Sequence, residues 1–189
     1  TNGIEEVKRK FFGTLFNTYS FFSLYANIDK FKFTGSNFNI GKLDKLDKWI
    51  LSELNTLILN CSKNFDAFEP TKVCRDIQFF VVNKLSNWYV RLSRRKFWKG
   101  EYNESKISAY QTLYECLEKI AIISSPVIPF YSNRLFNDLN KISKRHKIES
   151  VHLASFPNAS LEIINKKLEN QMSIAVSYTH LTLPTIPQV

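Results

Sequence analysis

The sequence predicts an all-α protein, an antiparallel bundle of five or six helices, and three observations lead to this fold class. Apolar residues recur at spacings of three and four over several long stretches, which is the period of an amphipathic helix. Glycine occurs only 5 times in 189 residues, too rarely for the many tight turns of a β-rich protein. Hydrophobic residues make up 44% of the chain, enough to build a sizeable core and to offset chain entropy.

The first two helices are predicted from such apolar stripes. Residues 4–28 form the first, and the stretch "DKFKFTGSNFNIGK" (29–42) is a predicted loop because two glycines stand there among Ser and Asn. A second helix follows, with Asp44 or Asp47 as its N-cap. The stripe of the first helix is Val7, Phe11, Leu15, Thr18, Phe22 and Tyr25, and that of the second is Leu46, Trp49, Ile50, Leu54, Leu57, Ile58 and Cys61.

A long third helix is predicted to begin near Pro70, because proline is favoured in the first turn of a helix. Gly100 lies just past its expected end, in the position where glycine commonly terminates a helix. The apolar residues between them step by three or four: Val73, Ile77, Val81, Leu85, Trp88 and Leu92.

Three more helices complete the predicted bundle. The fourth covers about residues 105–123, with Ser105 as a candidate cap, and Pro126 and Pro129 separate it from a fifth that ends near Lys141. A basic, irregular connection (144–160) leads to a shorter sixth helix over about residues 161–173. Short links between amphipathic helices favour antiparallel neighbours. The stripe of the fourth helix is Tyr110, Leu113, Leu117 and Ile120.

The last 14 residues, "VSYTHLTLPTIPQV" (176–189), do not share the helical pattern. They carry no Lys, Arg, Asp or Glu and contain two prolines. We interpret them as a non-native tail, such as a translated adapter or cloning scar, rather than as an extended native terminus. The expected domain organisation is therefore a leading helix (1–28), a helical bundle (29–175) and this tail (176–189).

The net charge of +9 and the pI of about 9.4 favour a polyanionic partner, either nucleic acid or an anionic membrane surface. No apolar run approaches the length of a membrane span, and the N-terminus lacks a signal peptide's layout. Because no helix pairs a basic face with a free apolar face, membrane binding is the weaker hypothesis. The chain does not begin with Met, so we expect it to be a fragment.

No residue of the chain is predicted to be catalytic or to bind a metal. It has no glycine-rich phosphate loop, nucleophile elbow or HExxH motif. His146 and His152 lack a partner at a motif spacing and are expected on the surface. The three cysteines lie far apart and are expected as reduced thiols of a cytoplasmic protein. Four acidic residues are interpreted as scattered helix charges: Glu53, Asp66, Glu69 and Asp76.

The stretch from residue 84 to residue 99 combines aromatic side chains with six basic residues and no acidic one. At about 100° per residue, Arg91, Arg95 and Trp98 fall in a narrow sector of the third helix, with Arg94 beside them. Arginine presents a planar fork that suits phosphate and also stacks on bases. Three aromatic residues would offer stacking surfaces if they were exposed: Tyr89, Phe97 and Trp98.

A solvated helix end is the alternative, because cations near a helix C-terminus are favoured by the macrodipole alone. From the pattern by itself, RNA contact and solvent exposure are balanced for the arginines, and Trp88 is predicted to belong to the core. The predicted RNA-contacting patch is Arg91, Arg94, Arg95, Lys96, Trp98 and Lys99, with Lys72 and Arg75 as secondary candidates.

Several segments together resemble the isoleucyl-tRNA synthetases, within the class I synthetases for Ile, Val, Leu and Met. They lie in order between about residues 4 and 175. The segments are "NTYSFFSLYANID" (17–29), "LDKWILSELNTLI" (46–58), "FDAFEPTKVCRDIQFFVVNKLSNWYVRLSRRKFWKG" (65–100), "ISAYQTLYECL" (107–117), "SSPVIPFYSNRLFNDL" (124–139) and "SVHLASFP" (150–157).

The resemblance implies the helical-bundle anticodon-binding domain, with residues 1–28 as the helix that leaves the catalytic domain. Its implied partners are the tRNA for isoleucine and the catalytic domain of the same polypeptide, in a cytoplasmic, monomeric enzyme. The family uses ATP with magnesium in that catalytic domain, whose signatures this chain lacks, so the chain is not expected to aminoacylate tRNA by itself. No cofactor is expected in the chain.

Three alternative functions stay open at this point. One is the corresponding domain of a valyl- or leucyl-tRNA synthetase. Another is a general helical RNA-binding module without a synthetase parent, which would bind unrelated tRNAs equally. The third is a protein-interaction bundle whose charge only aids solubility, which would bind no RNA even at low salt.

Overall fold

The computed structural model describes residues 2–33, 35, 43–99 and 101–181, without the side chains of residues 2 and 176–181. The part of the chain so described contains six helices and no β-strand, which confirms the predicted all-α bundle. No helix among these residues is long and apolar enough to cross a membrane.

Two of the six helices contain a π-helical segment. Helix α1 joins Asn2–Val7, the π turn Lys8–Phe12 and Gly13–Ile28, and helix α2 is Lys45–Asp66. Helix α3 joins Pro70–Phe79, the π segment Phe80–Val90 and Arg91–Trp98. Helices α4, α5 and α6 are Glu104–Ser124, Pro129–Ser143 and Lys166–Leu181. Two short 3₁₀ turns, Val151–Leu153 and Leu161–Ile163, lie between α5 and α6.

Side-chain caps determine where two of the helices begin. The Asp47 N–H donates to the Asp44 side chain over 3.1 Å, so Asp44 is the cap of α2. The Lys106 N–H donates to the Asn103 side chain over 3.0 Å, so Asn103 caps α4, and the prediction of Ser105 was wrong. Proline occupies the first turn of two other helices, at Pro70 and Pro129.

The buried face of α3 differs from the predicted stripe at its C-terminal end. Leu92 is 52% exposed and Trp88 is half-buried, although both were predicted to continue the stripe. On a regular α-helix, a side chain four residues further on is displaced by about 40°. The π segment has i→i+5 hydrogen bonds and wider turns, which compensate for this displacement. The buried residues therefore recur at every fourth position: Val73, Ile77, Val81, Leu85, Tyr89, Ser93 and Phe97.

Helix α6 begins later and extends further than the prediction of residues 161–173. The Asn165 side chain accepts from the Leu168 N–H over 3.0 Å, which marks the start of the helix. The backbone is then helical to Leu181, so the first six residues of the predicted tail continue the helix. Residues 182–189 and Gly100 lie outside the described part of the chain, and the non-native origin of 176–189 stays a prediction.

Helix α4 is the centre of the bundle. It packs against α1, α2, α3 and α5. The side chains of Leu113, Leu117 and Ile120 are all fully buried, as the predicted stripe requires. Because four helices share this one support, the C-terminal end of α3 is held in a fixed position over the first turns of α4.

Candidate nucleic-acid interface

The last two turns of α3 expose most of the predicted basic patch. The side chain of Trp98 is 54% exposed, although tryptophan is usually well buried. Arg91 and Arg95 form no ion pair with any residue that the structure describes, so their guanidinium groups are available to a ligand. The exposed residues, called the C-terminal patch below, are Arg91, Arg94, Arg95, Trp98 and Lys99.

Two members of the C-terminal patch lie against aromatic rings. The Arg94 guanidinium is 5.8 Å from the centre of the Phe21 ring on α1, and the Lys99 ammonium is 5.8 Å from the Trp98 ring. Such cation–π contacts restrain the side chains without neutralising their charge. The patch therefore offers positioned cations beside an exposed indole face.

Two of the three predicted stacking residues are buried and unavailable to RNA. Phe97 is 1% exposed and packs edge-on against Tyr110 of α4 at 4.9 Å and against Phe21 at 5.1 Å. Tyr89 is fully buried. Tyr89 and Phe97 therefore do not meet the condition of exposure under which they were predicted to stack on bases. Of the three residues, only Trp98 meets it. The aromatic contacts of Phe97 instead anchor the end of α3 on α1 and α4.

Lys96 lies in the predicted patch, but its ammonium group is bound by carboxylates at the start of α2. It forms an ion pair with the Asp44 carboxylate and lies 3.8 Å from the Asp47 Oδ2 atom. Burial raises the pKa of Asp44, but the Lys96 hydrogen bond and charge hold it below the ordinary value overall. Lys96 therefore joins the end of α3 to the start of α2, and it supports the patch from below.

A buried carboxyl group lies beneath the same end of α3. The Tyr89 hydroxyl donates to Asp47 Oδ1 over 2.6 Å, while no described residue bonds to Oδ2. Burial raises the pKa of Asp47 to about 6, although the Tyr89 hydrogen bond and the Lys96 charge act in the opposite direction. Asp47 is 1% exposed. A ligand on the surface does not reach it, and its role is internal.

The secondary candidates lie at the opposite end of α3. Arg75 and Arg95 are separated by 20 residues, on the order of 30 Å along a helix. Lys72 forms an ion pair with Glu69 over 3.3 Å. The period of four nevertheless places Arg75 in one exposed row with part of the C-terminal patch. The sequence analysis missed two asparagines of this row, Asn83 and Asn87. The whole row is Arg75, Phe79, Asn83, Asn87, Arg91, Arg95 and Lys99.

His146 is not a free surface residue, contrary to the prediction. Its Nε2 atom lies 3.0 Å from Glu118, a carboxylate that is 1% exposed. Arg145 donates to the same carboxylate over 2.6 Å and to Glu115 over 2.7 Å. These contacts bind the connection after α5 to α4. The other histidine, His152, is exposed as predicted.

The sequence analysis interpreted Glu53 as a scattered helix charge, but in the structure this residue joins two helices. It is 6% exposed, accepts from the Trp49 indole N–H over 3.2 Å and forms an ion pair with Lys84. No sequence signal separates it from an ordinary helix charge, because Lys84 lies 31 residues further on. The ion pair joins α2 to α3.

The described residues contain no group of three or more His, Cys, Asp or Glu side chains that could hold a metal ion. All three cysteines are free thiols. Burial raises the pKa of Cys61 to about 12, and that of the fully buried Cys116 is also raised, so both thiols stay protonated and unreactive. What these helices present to solvent is fixed positive charge beside an aromatic surface, which is the chemistry of a nucleic-acid interface.

Comparisons with known proteins show which family the chain resembles. The sequence profile described as "Anticodon-binding domain of tRNA ligase" matches residues 47–181. The chain is 52% identical over 174 residues to the isoleucine–tRNA ligase of Cytophaga hutchinsonii and 50% identical over 182 residues to that of Bacteroides thetaiotaomicron. It is 42% identical over 178 residues to that of Dehalococcoides mccartyi strain CBDB1.

These alignments cover 92%, 96% and 94% of the chain but only 16%, 16% and 17% of the respective relatives. The chain thus spans about a sixth of the length of the enzymes that it matches.

Proposed function

Because the chain belongs to the family of anticodon-binding domains of tRNA ligases, we propose that it binds the anticodon arm of the tRNA for isoleucine. The chain would serve as one domain of an isoleucine–tRNA ligase. The C-terminal patch of α3 carries this proposal, since it places an exposed indole beside guanidinium groups that form no ion pair with any described residue. Anticodon bases are unpaired, and proteins recognise unpaired bases by stacking and by hydrogen bonds to their edges.

The structure supports a division of roles within the patch. Arg91 and Arg95 lie one turn apart and would bind phosphates, which position the RNA. Trp98 would stack on a base. Lys96 is held by Asp44 and Phe97 packs on Tyr110, so the patch sits on a preformed support. Preorganisation reduces the entropy lost on binding.

The remaining activity belongs to the part of the enzyme outside this chain. We propose that a catalytic domain of the same polypeptide activates isoleucine with ATP and magnesium and transfers it to the tRNA. Binding through this domain would hold the tRNA in place for that reaction. A monomeric, cytoplasmic enzyme is part of the same proposal, which rests at this point on the family resemblance alone.

Reversing two charges of the patch tests the proposal. The double variant Arg94→Glu and Arg95→Glu should weaken binding of the isoleucine tRNA at least about tenfold, since it removes two cations and places two carboxylates against the RNA phosphates, and like charges brought together cost several kcal/mol. Fluorescence anisotropy over a salt series measures the affinity, and circular dichroism checks that the helices persist. The matched control is Lys63→Glu with Lys167→Glu, because both lysines are exposed and far from α3's C-terminal end in sequence.

A tRNA with an unrelated anticodon completes the experiment. Preference for the isoleucine tRNA that persists as salt rises supports anticodon recognition. Equal binding of both tRNAs, lost steeply with salt, indicates a nonspecific basic surface instead. An unchanged affinity of the Arg94, Arg95 variant would remove the C-terminal patch from the interface.

A further inference from the structure

The segment after α1 alternates between lysine and phenylalanine. Phe31 stacks on Tyr110 at 5.0 Å and 24°, and Phe33 stacks on Tyr114 at 4.1 Å and 27°. Both rings pack on the core. The lysines on either side of Phe31 are exposed, and no described residue forms an ion pair with them: Lys30 and Lys32.

The connection after α5 is arranged in a similar way. Arg145 and His146 turn inward and bind the carboxylates of α4. The Arg145 guanidinium is also 5.1 Å from the Phe33 ring, so this connection meets the segment after α1. Three lysines around the inward pair are exposed and lack an ion pair with any described residue: Lys141, Lys144 and Lys147.

A continuous set of aromatic contacts links these two segments to the C-terminal patch. Tyr110 contacts Phe31 on one side and Phe97 on the other, the latter at 4.9 Å. Phe97 also packs against Phe21, whose ring lies beneath Arg94. The basic residues of 30–32 and 141–147 therefore belong to the same part of the bundle as the end of α3.

Two acidic groups in this part of the protein are neutralised from within, although Asp138 pairs with Arg134 at the surface and Glu149 is exposed. Asp29 forms an ion pair with Lys106 over 2.7 Å and accepts from the Tyr110 hydroxyl. Burial raises the pKa of Asp29, yet the Lys106 and Tyr110 hydrogen bonds keep it below the ordinary value overall. Glu115 is bound by Arg145 and by Lys119. The inward cations thus cancel the buried carboxylates, and the outward lysines add net positive charge at the surface.

We infer that Lys30, Lys32, Lys141, Lys144 and Lys147, called the lysine strip, form a second RNA surface that binds backbone phosphates. This inference rests on the proposed function for the identity of the RNA. Helix dipoles account for Lys30, Lys141 and Lys144, which lie in or just after the last turns of α1 and α5, but not for Lys32 and Lys147. Phosphate contacts fix orientation and carry no sequence information. The strip holds the tRNA arm while the C-terminal patch recognises its loop.

The test neutralises the two strip lysines that stand away from the helix ends, Lys32→Gln with Lys147→Gln, in the full chain. The slope of log Kobs against log salt for the isoleucine tRNA should become shallower by about 1.4–1.8, for two phosphate contacts at about 0.7–0.9 each. The ratio of affinities for the isoleucine tRNA and an unrelated tRNA should not change. The control Lys63→Gln with Lys167→Gln should leave the slope unaltered.

Three outcomes would overturn the proposal for the lysine strip, and the last of them also bears on the proposed function. If the slope is unchanged while Arg94→Glu with Arg95→Glu abolishes binding, the strip is not an RNA surface and the proposed function stands. A slope change together with an altered affinity ratio would mean that the lysines contact bases, not phosphates. If neither variant affects binding, neither surface binds the RNA, and the proposed function fails as well if the unaltered chain binds both tRNAs equally.

Discussion

Two aspartates at the start of α2, Asp44 and Asp47, have pKa values that are shifted in opposite directions. Asp47 lies one turn from Asp44, yet burial raises the pKa of Asp47 to about 6, whereas the pKa of Asp44 is lowered overall. The difference arises because Asp44 is partly exposed and bound by Lys96, while Oδ2 of Asp47 has no described hydrogen-bond partner. The charged form of Asp47 therefore lowers the free energy of unfolding, and the effect grows as the pH rises and more of the carboxyl group ionises.

Replacing Asp47 by Asn should flatten the pH dependence of stability. The folded pKa is raised, so the contribution of Asp47 is fully present below its unfolded value of 3.8 and is lost as the pH rises through about 6. The loss is on the order of 2–3 kcal/mol. Asparagine keeps an acceptor for Tyr89 without the charge. Urea unfolding at pH 4.5 and 7.5 measures the effect, and an identical pH dependence in Asp47→Asn would refute it.

Asp44→Asn provides a control for the sign of the effect. The pKa of Asp44 is lowered in the folded protein, so its stabilising contribution is present above pH 3.8 and is lost only as the pH falls further. Asparagine also retains the N-cap function. This variant should therefore keep a loss of stability between pH 4.5 and 7.5, smaller than that of the wild type because Asp44 contributes to raising the pKa of Asp47.

At the level of elements, the period of α3 decides which residues reach solvent. The buried face repeats every four residues over the whole helix because the π segment widens the turns in its middle. Leu85 is fully buried and Leu92 is half-exposed, although a regular α-helical stripe would include both. The same winding turns Tyr89 and Phe97 into the core and leaves Trp98 outside.

The two leucines offer a direct test of this winding. Leu85→Ala should lower the free energy of unfolding by about 2–5 kcal/mol, because it leaves a cavity in the core. Leu92→Ala should lower it by less than about 1 kcal/mol, since little apolar area is buried there. Chemical denaturation of both variants measures the difference. Equal losses would mean that α3 keeps the regular α-helical period.

At the level of the whole molecule, polar contacts between distant segments tie the last third of the chain to the bundle. Arg145 binds Glu115 and Glu118 on α4. Glu169 of α6 accepts from Ser52 and Thr56 of α2 over 2.6 and 2.8 Å. Its pKa is raised by burial but lowered overall by these hydrogen bonds and the one from Lys166. The hydrogen bonds of the Glu169 carboxylate therefore hold α6 in one position on α2.

Removing Arg145 should destabilise the whole bundle. Arg145→Ala leaves the Glu118 carboxylate, which is 1% exposed, without its cation. Breaking a buried ion pair costs about 3–5 kcal/mol, and the cost here should be nearer 2–3 kcal/mol because the arginine is partly solvated. Chemical denaturation at neutral pH measures it. Lys147→Ala, two residues away and exposed, is the control, and an equal loss in both would contradict the role of Arg145.

The helices and most of the core were predictable from the sequence because they depend on local periodicity. The N-cap at Asp44 and the first-turn proline of α3 at Pro70 follow from residue type in the same way. The predicted stripe of α3 failed where the helix changed its period. The buried positions at every fourth residue are visible in the sequence afterwards, but a period of four is not the one that a regular helix predicts.

The amino-acid sequence by itself determined the all-α fold, the basic surface and the family resemblance, because amphipathic period, charge and motif are local properties. Only the tertiary structure decided which cations face solvent. Lys96 and Arg145 look no different in sequence from Arg95 and Lys147, but they are bound by carboxylates that lie 27 to 52 residues away. Burying Glu115 and Glu118 requires a cation for them, and the partly exposed Asp44 binds Lys96, so packing selects which cations turn inward and leaves the others for the ligand.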